Sequence, residues 1–346
     1  MRHEFLKGIA VPVVATVVVG LISVAILASS NWSRSLSQEG GTKKKDEQVA
    51  CIDPDRDCKG SDCVKSGDPF REISAGVAHS CGIRRDGKVV CWGDNSSRQA
   101  PSSASAVPFK EVAAGGAHTC GIRVDDKVVC WGDNTLGQAP TLPSVDSFMA
   151  ISCGGWHTCG IRMDDKVVCW GANDSGQAPD SASTERFKVI AAGERHTCGV
   201  REDGAVVCWG ANTNGNTPQV VSNETFTTVS AGRLHTCGIR TDGGVACWGN
   251  DPDRKPQLTV PSGFFRAIAA GGMHACAIRS DDSLACWGDN TWGQVLSDRE
   301  TGLKVKAVAA GARHTCAIVN PAVKDGAYDN DNKVLCWGSN ESGQAP

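Results

Sequence analysis

Seven histidines stand in one repeated frame, each followed two residues later by a cysteine and further on by Cys-Trp-Gly. His79, His118, His157, His196, His235, His274 and His314 are spaced by 39 residues five times and then by 40, and His3 alone lies outside the frame. Imidazole beside thiol is the chemistry of zinc sites and of Cys-His nucleophiles. A working centre, however, needs ligands converging on one point, or a base beside a nucleophile in a local arrangement of its own. Seven copies with the same neighbours have the pattern of packing residues instead, each expected to close a buried backbone hydrogen bond. The tryptophans of the Cys-Trp-Gly units, Trp92 to Trp337, take the same structural reading. No Gly-rich phosphate loop, paired catalytic carboxylates or isolated Ser/His/Asp set stands out, so no catalytic residue, cofactor or metal ion is expected.

The cysteines carry the firmer chemistry. Fourteen of the 18 occur as one pair per repeat, with a nine-residue gap in the first six and no CxxC knuckle, which disfavours zinc and favours disulfides in an oxidising compartment. Asp86-Gly87 read as a two-residue hairpin turn sets Cys81 opposite Trp92. A three-residue loop, Arg85-Asp86-Gly87 with Gly87 left-handed, sets Cys81 opposite Cys91 instead. The next five repeats carry Asp126, Asp165, Gly204, Gly243 and Asp282 at that position, all types that tolerate a positive φ. The second register is adopted, and it predicts Cys81–Cys91, Cys120–Cys130, Cys159–Cys169, Cys198–Cys208, Cys237–Cys247, Cys276–Cys286 and Cys316–Cys336. Strand alternation puts His79, Cys81, Ile83, Val89 and Cys91 on one face, with Trp92, Val90 and Gly82 on the other, the indole over the glycine. Cys51, Cys58 and Cys63 form a small Cys-rich loop before the repeats; Cys153 is the extra cysteine within them and a candidate partner for the one left over.

Residues so placed require short strands. Repeats begin at Phe70, Phe109, Phe148, Phe187, Phe226, Phe265 and Val305, and three or four strands in about 40 residues make one propeller blade. The fold class predicted is all-β: a seven-bladed β-propeller over 70–346, monomeric, preceded by one N-terminal transmembrane helix. Residues 1–8 form a cytoplasmic n-region, 9–28 an apolar run long enough to cross the bilayer, and 29–69 a polar stalk. The run is read as a signal anchor, with a cleaved signal peptide ending near Ala28-Ser29-Ser30 as the alternative. The propeller then faces the periplasm, a lumen or the exterior, and is secreted if the segment is cleaved. With 35 Lys+Arg against 38 Asp+Glu, a net charge of -3 and no basic block in the repeats, the footprint of a nucleic-acid binder is missing. The last repeat gains an insertion, about Pro321 to Asn332, read as a surface loop at a hairpin tip.

Ala114-Gly115-Gly116-Ala117-His118-Thr119-Cys120, followed by Val129-Cys130-Trp131-Gly132-Asp133-Asn134 and Gly137-Gln138, resembles regulator-of-chromosome-condensation repeats. The resemblance covers Phe70 to Pro346 and implies the same propeller. The paired cysteines are similar to those of Crinkly-type plant receptor ectodomains. The Gly-Gln-Ala-Pro loops resemble a secreted bacterial family of β-lactamase-inhibiting propellers. Exchange-factor activity, which the nuclear founder exerts through a projecting wedge, would have only the insertion in the last repeat to serve it.

Function is sought where residues vary on the fixed frame. The two positions before each histidine lie on one rim, where the later blades present Trp156, Arg195, Arg233, Leu234, Met273 and Arg313; Trp292 joins them from the loop after Cys-Trp-Gly. Trp and Arg are enriched in binding hot spots, and in the inhibitor family this loop position contacts the target enzyme. The reading is a non-catalytic, membrane-anchored, extracytoplasmic propeller that binds a protein ligand. The alternatives are a secreted enzyme inhibitor or an exchange-factor-like regulator.

Overall fold

The computed structural model describes residues 70–346 apart from 214, 218–223, 250–259, 297–301 and most of 321–332, where Val323–Lys324 pairs with Ala327–Tyr328. Further towards the N-terminus only Val17–Val18 and Leu21–Ile22 are described, as two paired strands. The predicted span 9–28 and stalk 29–69 otherwise lie outside the described residues, among which no helix is long and apolar enough to cross a membrane.

Seven three-stranded antiparallel sheets follow one another from Phe70 onwards. In blade 1 the inner strand is Phe70–Ala75, the middle strand His79–Arg84 and the outer strand Val89–Gly93. The pattern repeats through to blade 7, whose strands are Val305–Ala310, His314–Val319 and Val334–Gly338. Among the described residues each blade therefore has three strands.

The hairpin between middle and outer strands takes the three-residue form. Gly87, Gly204 and Gly243 have φ of 83°, 87° and 85°, and Asp126, Asp165 and Asp282 have 66°, 65° and 69°. Cys81 pairs with Cys91 in register, and the corresponding pairs recur in all seven blades. All seven predicted disulfides are formed.

Gly82 differs in one respect from the expectation. A Cβ there would stand 2.6 Å from the Phe70 ring, so the phenylalanine, not the indole, occupies the space over the glycine. Trp92 meets that ring edge-on at 6.1 Å, and blades 2 to 5 repeat the pair at 5.8 to 6.0 Å. Where Ala277 replaces the glycine in blade 6, Arg279 lies over Phe265 at 5.6 Å. In blade 7, Ala317 replaces the glycine and Val305 the phenylalanine, a smaller residue matching a filled space.

The core lies between blades. The disulfide and Ile83 of blade 1 pack on Phe109 and Val112 of blade 2, and each junction repeats the arrangement. The same contacts close the ring. Gln344 O accepts Trp92 Nε1 at 3.1 Å, Ala345 is buried with Phe70 and Trp92, and Ala312 N donates to Gly76 O at 3.2 Å. The terminal loop thus seals blade 7 on blade 1, with no exchange of strands between these two blades among the described residues.

Candidate protein-binding rim

In six of the seven blades the histidine bonds to a side-chain hydroxyl of the next blade rather than to backbone, which corrects the expected partner. His79 Nε2 lies 2.9 Å from Thr119 Oγ1, and His118, His157, His196 and His274 reach the matching threonines at 2.8 to 2.9 Å. His314 reaches Ser80 across the closing junction at 2.8 Å. Thr119 spends its hydroxyl proton on Gln99 O at 2.9 Å, so the imidazole must donate from Nε2. Trp131 Nε1 donates to the same carbonyl at 2.9 Å. One loop carbonyl thereby ties together a histidine, a threonine and a tryptophan at the junction.

His235 has no such partner, because Ala275 stands where the others find a hydroxyl, and both its ring nitrogens are buried and unbonded. Burial holds the imidazoles neutral, with His79, His157, His196 and His274 lowered to about 3 and His118, His235 and His314 to about 4. Among the described residues, His118, Cys120 and Cys153 are the group whose donor atoms lie close enough to share an ion. Cys120 is committed to its disulfide, which leaves no ligand set. Burial pushes the Cys153 thiol up to about 12, well away from a reactive thiolate.

Two carboxyls line the inner strands of blades 1 and 2. Glu72 accepts Val112 N at 2.8 Å and Glu111 accepts Ile151 N at 3.1 Å. Burial raises Glu72 to about 7 and Glu111 well above the usual carboxylate range. Each is spent on the neighbouring blade's edge N–H, as Ser74, Ser152 and Ser230 are at the next step of the strand. On the perimeter, a recess of about 300 Å³ between blades 3 and 4 is walled by Cys169, Pro179, Phe187 and Trp209. A smaller copy lies between blades 2 and 3, so these recesses belong to the repeat geometry.

The two variable loop sets share one rim. Asp94 N donates to Ala78 O at 2.8 Å, fastening the loop after Cys-Trp-Gly to the turn before the histidine. Consecutive blades are also linked here, the N–H two positions before each histidine bonding to the next blade's glycine carbonyl, as Val77 N does to Gly115 O at 3.1 Å. On that rigid ring Trp156 is 44% exposed and Trp292 40%, although both are bulky aromatics. The Arg313 guanidinium lies 4.9 Å over the Trp292 ring, which joins blade 7 to the loop of blade 6. Arg195 pairs with Asp174, and Arg233 Nε with Glu194 at 2.6 Å. Leu234 and Met273 are half-buried between these points. The sequence reading singled out the arginines but not the acids that hold them. Ala172 replaces the aspartate that starts the loops after Gly93 and Gly132, and Asp174 stands where those loops have Ser96 and Thr135, a visible signal, whereas the Glu194 pairing depends on the fold.

The pattern of the regulator of chromosome condensation (RCC1) repeat matches residues 70–99, 109–138, 150–177, 187–216, 226–253 and 265–294, about half of the chain. The chain belongs to the RCC1 repeat family. Blade 7, beyond the last match, has the same strands and register. The CRINKLY WD40 ectodomain of the Arabidopsis thaliana receptor kinase ACR4 is similar in structure, with 25% identity and a TM-score of 0.63 over 81% of this chain and 99% of that one. The ectodomain of the Physcomitrella patens receptor kinase CR4 gives 25% identity and a TM-score of 0.63 over 79% and 74%. Prp20p of Saccharomyces cerevisiae shares the fold at 16% identity and a TM-score of 0.57, over 78% of this chain and 82% of its own. A sequence comparison with curated proteins finds no match.

Proposed function

We propose that this RCC1-repeat propeller is an extracytoplasmic, non-catalytic binding module, anchored to a membrane by its N-terminal apolar run, that engages a protein through the arc from Trp156 to Arg313. One observation carries the reading: a frame repeated almost without change holds exposed aromatic and cationic groups, different in each blade, on a single rim. Pre-organised Trp and Arg side chains lose little entropy on binding, which is why they dominate hot spots. The seven disulfides and the likeness to receptor ectodomains support a location outside the cytoplasm. The test uses the oxidised full chain and a second bait carrying Trp156→Ala, Arg195→Ala, Leu234→Ala and Met273→Ala. A protein cross-linked to the first bait and lost from the second, with both folded, supports the assignment. Equal capture by both baits removes function from this arc.

A further inference from the structure

The inner strands of the seven blades surround a central channel, and no charged residue stands among those that line it. The last residue of each inner strand is alanine in six blades and Cys153 in blade 3. Such a wall suits an apolar occupant, and its small side chains leave width for one.

The occupant is on the chain itself. Val17–Val18 pairs antiparallel with Leu21–Ile22, Val18 opposite Leu21. Val17–Val18 lies against the inner strands of blades 3 and 4, Phe148–Cys153 and Phe187–Ala192. Leu21–Ile22 lies against those of blades 6, 7 and 1, which are Phe265–Ala270, Val305–Ala310 and Phe70–Ala75. In a ring of seven these two groups of blades face each other, as the two sides of a ribbon seated on the axis require.

Sequence and backbone chemistry agree with this seat. The pairing axis falls between Val19 and Gly20, near the middle of the apolar run 9–28, so the sequence is apolar on both sides of it. Seven β-branched residues stand from Val11 to Val19, the types that favour strands. The channel edge also needs acceptors. In blade 2 the N–H groups of Val112 and Ala114 are taken by Glu72 and Ser74 of the preceding blade. Blade 7 meets Ala267 and Ala269 at those positions, and blade 1 meets Ala307 and Ala309, none with a side-chain oxygen. Backbone carbonyls of a strand in the channel can serve these edges instead.

We propose that the Val17–Val18 and Leu21–Ile22 strands are a built-in ligand of the central channel, docked there when the apolar run is out of the bilayer. The same run, about 20 residues long, can cross a bilayer only as a helix. The two seats therefore exclude each other, and anchoring withdraws the ribbon from the channel. Docking stands by itself; only its release rests on the membrane anchoring proposed above.

The experiment places a photo-reactive diazirine amino acid at Val18 or at Leu21 of the full chain. The chain is synthesised cell-free in an oxidising mixture without membranes, irradiated and mapped as peptides, and scored where the map shows the blade disulfides intact. Position 18 should cross-link to Phe148–Cys153 and Phe187–Ala192, and position 21 to Phe265–Ala270, Val305–Ala310 and Phe70–Ala75. With phosphatidylcholine–phosphatidylglycerol vesicles present during synthesis, chains that float with the vesicles should lose these cross-links. No cross-link to an inner strand without membranes, or the same strands reached from both positions, overturns the proposal. So does retention of the cross-links by floating chains. Chains that never float but keep the cross-links support the docked ribbon and remove the membrane anchor instead.

Discussion

Acidification from pH 7.5 to 5.0 should unfold this propeller, because every blade buries a neutral imidazole and six of the seven bond to the next blade. The seven histidines ordinarily titrate at 6.5 and are lowered by burial to about 3 or about 4 in the fold. A depressed imidazole favours the folded state fully above 6.5, and that stability is lost as pH falls towards the folded value, since the unfolded chain takes up the proton first. At pH 5.0 the loss is RT ln(1 + 10^1.5), about 2 kcal/mol per histidine, or about 14 kcal/mol for all seven. Glu72 opposes this. Its carboxyl is raised from 4.5 to about 7, so its contribution grows as pH falls through 7 and returns about 2 kcal/mol by pH 5.0. Glu111 acts in the same direction. The loss left after Glu72, about 12 kcal/mol, is comparable to the whole stability of a typical domain, about 5–15 kcal/mol. Urea melts of the oxidised protein at half-unit pH steps, followed by tryptophan fluorescence, measure it. The midpoint should hold above pH 7 and fall steeply below 6.5. A midpoint unchanged down to pH 5.0 would refute the claim that these imidazoles are buried and neutral.

Further outcomes follow from single junctions. Thr197→Ala removes the hydroxyl that joins His157 to Gln177 O and should cost about 1–3 kcal/mol, read as a lower urea midpoint. Ala275→Thr supplies His235 with the partner it lacks and should stabilise the fold by about 1 kcal/mol, read as a higher urea midpoint, whereas a fall would show that the site cannot accept the side chain. Gly121→Ala places a methyl 2.6 Å from the Phe109 ring and should cost about 1–3 kcal/mol, with the Phe109–Trp131 contact displaced in a crystal structure of the variant. Replacing both Cys159 and Cys169 by alanine opens a loop with a sequence separation of 10 and should cost about 3 kcal/mol in thermal or chemical melts.

Much of the fold was legible because the repeat multiplies weak signals. One Asp-Gly does not choose between two hairpin registers, but six positions all drawn from Gly and Asp do, and with the register come the disulfides. The acceptors of the histidines were not legible, since five lie 40 or 41 residues away on the next blade, that of His314 lies across the closing junction at Ser80, and all depend on how blades stack. The misplacement of Trp92 has a similar cause. Strand alternation puts it on the same face as Gly82, but the bulge between Phe70 and Glu72 turns the phenylalanine onto that glycine first. The rim residues were legible as variation, whereas their partners Asp174 and Glu194 required the ring.

The assignment of binding to the rim is tested most directly by a photo-reactive amino acid placed in turn at Trp156, Leu234 and Met273 on the rim, and at Val124 and Met163 in the hairpins at the opposite end. With the oxidised full chain in whole cells that express it, the account predicts one protein adduct from the rim positions and none from the hairpin positions. An adduct formed only from Val124 or Met163, or equally from both ends, would contradict it.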